Sequence, residues 1–109
     1  MALLSGYKVL DFSSVGPASR CSRILADYGA DVIKLEAFGE GDIARKWGSM
    51  LPGGETAYFV SLHRNKRDIE INLKHPRGKA IFMDLVERSD IVLENFRVGT
   101  LAKLGLDYE

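Results

Sequence analysis

Strand-like and helix-like segments alternate along this sequence, which predicts a three-layer α/β domain with a mostly parallel sheet. Three observations carry that expectation. Residues 7–36 run strand, helix, strand, and so short a unit fits a βαβ crossover between parallel strands. A second strand and helix pair, "RDIEINL" followed by "HPRGKAIFMDLVERS", repeats the pattern downstream. The run "DIVLENF" then reads as a continuous apolar strand, the kind buried on both faces of a parallel sheet.

The elements follow in order. "YKVLDF" (7–12) is short and rich in apolar and aromatic residues, so it is read as a strand. "SSVGPASR" is a turn of small residues with a Gly-Pro pair. Cys21, Ile24, Leu25 and Tyr28 then recur at i, i+3, i+4 and i+7, one apolar helix face of about three turns, with Cys21 expected in the core. Gly29 ends that helix. "DVIKLE" (31–36) is the second strand. The glycines and Pro52 of "AFGEGDIARKWGSMLPGGETAYF" mark a long loop with one helical turn around residues 43–47. "TAYFVSL" fits strand or helix, with helix favoured. Ile69, Ile71 and Leu73 alternate through "RDIEINL" (67–73), a strand. Pro76 suits the first position of the next helix, where no donor is needed. Ile81 with Leu85 and Phe82 with Val86 give that helix i,i+4 apolar pairs. "RVGTLAKLGLDYE" opens a further short helix.

A chain of 109 residues holds one domain and is short for two. Four strands without a closing helix make a thin domain, so a segment of a longer chain is expected. Fifteen basic residues against fifteen acidic ones give no general pull toward nucleic acid or an anionic membrane. The single cysteine makes no intrachain disulfide, which fits a reducing cytoplasm. No secretion signal is read at the N-terminus, and no apolar run approaches the ~20 residues of a membrane helix.

Ligands of parallel sheets sit at the carboxyl ends of the strands. Those ends carry Asp11, Glu36, Leu73 with Lys74, and Glu94 with Asn95. The carboxylates could do acid/base work or bind ribose hydroxyls; equally, they could cap helices or meet solvent. The first turn feeds a helix N-terminus, a place that attracts anions. Glu36 follows Gly16 by twenty residues, the separation of a dinucleotide fold's ribose-binding acid, but no G-x-G-x-x-G is present. The cations of "HRNKR" (63–67), with Lys74, His75, Arg77 and Lys79, form either a solvated charged face or a site for a bound anion on the rim, and their two clusters near one rim favour the anion. No Cys/His cluster has metal-ligand spacing, and no metal is expected.

"ILADYGADVIKLE", "GEGDIAR", "RNKRDIEINLKHPRGK", "DIVLENFRVG" and "LAKLGLDYE", in this order and spacing, resemble the family III CoA-transferases, also called the CaiB/BaiF family. The likeness covers essentially the whole chain. It implies a Rossmann-like N-terminal segment, residues 1–109, that binds coenzyme A as substrate, with no prosthetic group. Val15 and Gly16 would face the thioester and pantetheine region. Ala37 stands where family members often carry an arginine by the adenine. Ile71, Asn72, Leu73 and Lys74 would line the nucleotide pocket, and Asn95, Phe96, Arg97 and Lys103 would continue it toward the phosphates.

The resemblance further implies a carboxylate nucleophile, an aspartate downstream of Glu109, so no catalytic residue is expected in this chain. The implied partners are an acyl-CoA, a carboxylic acid and a second subunit in an interlocked homodimer. Neither nucleic acid nor membrane is implied. The alternatives are an α-methylacyl-CoA racemase of the same family and a non-catalytic nucleotide-binding module. The long 41–73 stretch favours the transferase branch. The Gly-Pro pair, two positions earlier than the transferase "AGP", reads more like the racemase branch.

Overall fold

The structure, a computed structural model, describes residues 1–108. The order is β1 (Lys8–Phe12), α1 (Gly16–Asp27), β2 (Asp31–Ala37), a 3-10 turn (Ile43–Lys46), α2 (Ala57–His63), β3 (Lys66–Ile71), α3 (Pro76–Glu87), β4 (Ile91–Glu94) and α4 (Thr100–Leu104). One sheet has the order β3-β2-β1-β4, and every pairing is parallel. The chain winds outward from β1 through β2 to β3, then returns to place β4 on the other side of β1. The β1/β4 boundary is therefore the topological switch point, where such sheets open a crevice.

The expected α/β architecture is present, and so is the helical reading of "TAYFVSL" as α2. Thr56 caps α2 by accepting a hydrogen bond from the Phe59 N–H at 3.1 Å. α3 starts at Pro76, with His75 Nδ1 accepting from the Arg77 N–H at 3.1 Å. Its approach to the sheet is close: a Cβ on Gly78 would overlap the Asn72 carbonyl.

The strand pleat separates two unlike faces. Leu10, Phe12, Leu35, Ile71, Phe82 and Leu106 form an apolar core beneath α3 and α4. On the opposite face, Val9, Ala26, Ala30 and Val32 make a smaller apolar cluster beneath α1. Beyond it that face turns polar, with Asp11, Ser13, Ser19, Ser22, Lys34, Glu36, Asp42 and His63 all buried.

Three expectations are corrected. α1 begins at Gly16 with Pro17 in its first turn, so the Gly-Pro pair starts the helix instead of lying in the turn before it. The stripe Cys21, Ile24, Tyr28 is exposed, and α1 buries Ser19, Ser22 and Ala26 instead. The sheet beneath those serines carries Asp11, whose carboxylate needs donors that an apolar stripe lacks. Finally, among the described residues β4 pairs with β1 alone and so lies at the sheet's edge, with Ile91 and Val92 37% and 41% exposed.

Candidate functional site: a cleft on the carboxyl rim

The polar face sets the loops at the rim. Asp11 is fully buried and pairs with Lys66 Nζ at 2.8 Å. It also accepts from the hydroxyls of Ser13 and Ser22. Burial pushes this carboxyl up, but Lys66 and the hydroxyls outweigh it and hold it below the usual range. Lys34 Nζ pairs with Asp42 at 2.7 Å and donates to the Ser13 carbonyl at 3.0 Å. His63 lies between the pairs, its Nδ1 2.9 Å from Lys66 Nζ. Burial, then the Lys66 and Lys34 charges, pull its pKa down to about 4, so the ring is neutral at pH 7.

A second knot ties the long loop to the strands. Arg45 binds Glu36 through Nε and Nη2, both at 2.8 Å, and reaches Glu55 and Asp68 at 3.0 Å. Its guanidinium also lies 3.9 Å over the Phe59 ring. Burial raises the Glu36 pKa, but the Arg45 hydrogen bond leads the opposing contacts and brings it down to about 2. Asp68 is pushed up to about 7 by burial and by Glu36 beside it.

The first turn is held from three sides. Asn95 Oδ1 accepts from the Ser14 N–H at 2.9 Å, and its Nδ2 donates to the carbonyls of Ser14 and Val15 at 2.8 and 3.3 Å. The Ser14 hydroxyl donates to Asp42 at 3.2 Å, and the Gly16 N–H to the Tyr58 hydroxyl at 3.2 Å. Between them Val15 has φ 47 and ψ 174, a conformation that β-branched residues rarely adopt.

A cleft of about 440 Å3 opens on the rim, at the carboxyl ends of β2 and β3. Ala37, Ile71, Asn72, Leu73, Lys74 and Phe96 line it, six of the eleven residues that the resemblance nominates. Phe96 is fixed there by an edge contact to Phe12, with ring centroids 4.8 Å apart. Arg97 lines an adjoining groove of about 760 Å3 that shares Phe12 and Phe96. Val15, Gly16 and Asn95 form a separate group at the switch point, and Asn95 is engaged with the turn. Lys103 lies exposed in the last turn of α4 and lines neither hollow.

Sequence reasoning missed Phe38, which lines the cleft and is 68% exposed. An aromatic residue just past a strand end was the available signal. The expected anion cluster at 63–67 does not form. Arg64 holds Asp27 at 2.7 Å, Lys66 holds Asp11, and Arg67 holds Asp31 at 2.7 Å. The rim acids are likewise engaged: Asp11 and Glu36 in the buried pairs, and Glu94 in accepting from the Phe96 N–H at 2.9 Å. Among the described residues, no group of three His, Cys, Asp or Glu could hold a metal ion, and no helix is long and apolar enough to cross a membrane.

The sequence model of CoA-transferase family III matches residues 4–109. The chain is 42% identical over 106 residues to the succinyl-CoA–L-malate CoA-transferase beta subunit of Chloroflexus aurantiacus, covering 97% of this chain and 26% of that protein. It is 40% identical over 106 residues to the formyl-CoA:oxalate CoA-transferase of Bradyrhizobium diazoefficiens, covering 97% of this chain and 25% of that protein. The chain thus spans about a quarter of the length of the curated relatives it matches. Its fold superposes on a CaiB/BaiF family protein from Brucella suis with TM-score 0.90 and 38% identity, covering 98% of this chain and 29% of that one. A family match over nearly every residue, on the same parallel sheet, has one consequence: the chain belongs to CoA-transferase family III.

Proposed function

We propose that residues 1–109 form the coenzyme-A-holding segment of an acyl-CoA:carboxylate CoA-transferase. The observation that carries this reading is the rim cleft. Six residues nominated from the sequence, drawn from three separate stretches, line one hollow at the carboxyl end of a parallel sheet. Lys74 brings a cation to that hollow, and Arg97 brings another to the groove beside it. The rigid Ser14–Gly16 turn would stand toward the thioester end.

In this reading an aspartate supplied by the rest of the protein attacks the acyl-CoA carbonyl, and the CoA thiolate leaves a mixed anhydride. The thiolate then takes the aspartyl carbonyl, releasing the first acid and forming an aspartyl-CoA thioester. The acceptor carboxylate repeats the sequence in reverse. The enzyme would work in the cytoplasm as an interlocked homodimer. The transferase names of the relatives support transfer over racemisation.

The test uses the full-length protein that carries this sequence. An acyl-CoA is incubated with a second carboxylic acid, and the CoA esters are followed by chromatography. The expected result is a new acyl-CoA with release of the first acid. Exchange of the α-proton in D2O without any CoA transfer would contradict the reading and point to a racemase.

A further inference from the structure

Lys34 sits at the centre of β2, 2% exposed, where an apolar side chain of its size would carry no desolvation cost. Its Nζ pairs with Asp42 at 2.7 Å, and Asp42 is itself 5% exposed. Such a pair seldom stabilises a fold beyond what apolar packing would give, because desolvation offsets most of the attraction. Further chain around this segment would leave that burial in place. What the pair does hold is the chain just past β1. Lys34 Nζ donates to the Ser13 carbonyl at 3.0 Å, and Asp42 accepts from the Ser14 hydroxyl at 3.2 Å. Asp11, the acid of the other buried pair, accepts from the N–H and the hydroxyl of Ser13. The two pairs together thus engage all three polar groups of Ser13.

The turn that follows goes against local preference. Val15 caps α1 without a side-chain hydrogen bond, although Ser13 and Ser14, both good cap residues, directly precede it. The Ser14 hydroxyl is turned to Asp42 instead. Val15 and Gly16 then take φ 47 and 50 in succession, which a glycine adopts freely and a β-branched residue does not. Such a conformation persists only where its surroundings over-determine it. Asn95 and Tyr58 hold the far side of the turn, and Lys34 with Asp42 hold the near side.

We infer that Lys34 and Asp42 are positioning residues for this turn: the buried pair fixes Ser13 and Ser14 so that Val15 keeps its positive φ and the turn meets an acyl-CoA thioester in one geometry. This rests on the transferase reading, in which the turn stands toward the thioester end. It divides two tasks. The cleft sets affinity for coenzyme A, and the pair sets the rate of transfer through the placement of the turn.

The test uses the full-length protein carrying Lys34→Met together with Asp42→Asn. This double variant leaves neither member of the pair charged, and the asparagine Oδ1 can still accept from the Ala44 N–H that Asp42 holds at 2.8 Å. Coenzyme A affinity and stoichiometry are read by calorimetry, transfer kinetics per binding site by chromatography, and amide exchange of residues 13–16 by mass spectrometry. The expected result is unchanged affinity for coenzyme A, unchanged KM for the acyl-CoA, faster exchange at residues 13–16, and a kcat lowered about 10- to 100-fold. A kcat equal to wild type would overturn the inference. So would a loss of coenzyme A affinity matching the loss of rate, the mark of a merely structural role. Ser14→Ala removes only the hydroxyl bond to Asp42 and should lower kcat by less, again with affinity unchanged. If the double variant does not fold, Ser14→Ala decides alone, and an unaltered kcat there overturns the inference. If the wild-type protein binds coenzyme A but transfers nothing, the transferase reading falls. The hold on the turn then stands with faster exchange at residues 13–16 in the double variant and falls with unchanged exchange.

Discussion

The two faces of the sheet are built on different physics. Under α3 and α4, the core is Leu10, Phe12, Leu35, Ile71, Phe82 and Leu106, held by apolar burial and aromatic contacts. Under α1 and α2, two lysine–aspartate pairs lie almost wholly out of water, linked by His63 and Ser13, with Ser19 and Ser22 on the Asp11–Lys66 pair. Burying those charges costs several kcal/mol per ion, and pairing offsets that cost only while every member is present. The apolar face needs only volume, so it tolerates shape changes in part. The polar face needs specific partners, and in return it fixes geometry. Asp42 and Tyr58 on that side hold the Ser14–Gly16 turn, while the apolar side supplies Phe12 and Phe96 to the cleft.

Breaking each face in turn separates these modes. Lys66→Met leaves Asp11 charged and buried, and should destabilise by about 3–5 kcal/mol in urea denaturation. Phe82→Ala should cost a similar ~3–5 kcal/mol through its cavity. The contrast lies in the double variants. Adding Asp11→Leu to Lys66→Met should cost far less than the sum of the single changes, because no orphaned charge remains. Adding Leu35→Ala to Phe82→Ala should bring no such relief.

A smaller effect is expected at Gly78, where α3 meets the loop that walls the cleft. Gly78→Ala forces the Asn72 carbonyl away and should cost about 1–3 kcal/mol, read as a lower Tm. Ligand affinity should fall with it, since Asn72 through Lys74 line the cleft.

The pH dependence is subtler because two groups oppose each other. The folded pKa of Asp68 is raised to about 7 from 3.8, so its contribution is present below pH ~4 and is lost as pH rises through 7. That of His63 is lowered to about 4 from 6.5, so its contribution is present above 6.5 and is lost as pH falls through 4. Between pH 4 and 6.5 the two partly cancel. Asp68→Asn should make stability rise with pH across this window, and His63→Gln should make it fall. Stability curves at several pH values check both signs. The smallest effect belongs to the surface: Arg64→Ala loses an exposed pair with Asp27 and should stay within about 1 kcal/mol.

The element order was legible because it rests on local signals: strand composition, Pro76 at a helix start, Gly29 at a helix end. What escaped depends on partners distant in sequence. The helix α1 carries an apolar stripe, yet the face it buries is chosen by Asp11, which lies on a strand before it. The cations at 64–67 looked free because Asp11, Asp27 and Asp31 are 36 to 55 residues away along the chain. β4 looked doubly buried because its composition is apolar, and composition does not tell a central strand from an edge. The cleft was legible through family resemblance, with Phe38 overlooked because an exposed aromatic leaves no periodic trace.

The central claim is that the rim cleft between the ends of β2 and β3 holds coenzyme A. Hydrogen–deuterium exchange of the full-length protein, with and without coenzyme A, tests it most directly. The account predicts ligand-induced protection at residues 37–38, 71–74 and 95–97. Bound coenzyme A that leaves those segments unprotected, with protection elsewhere, would contradict it.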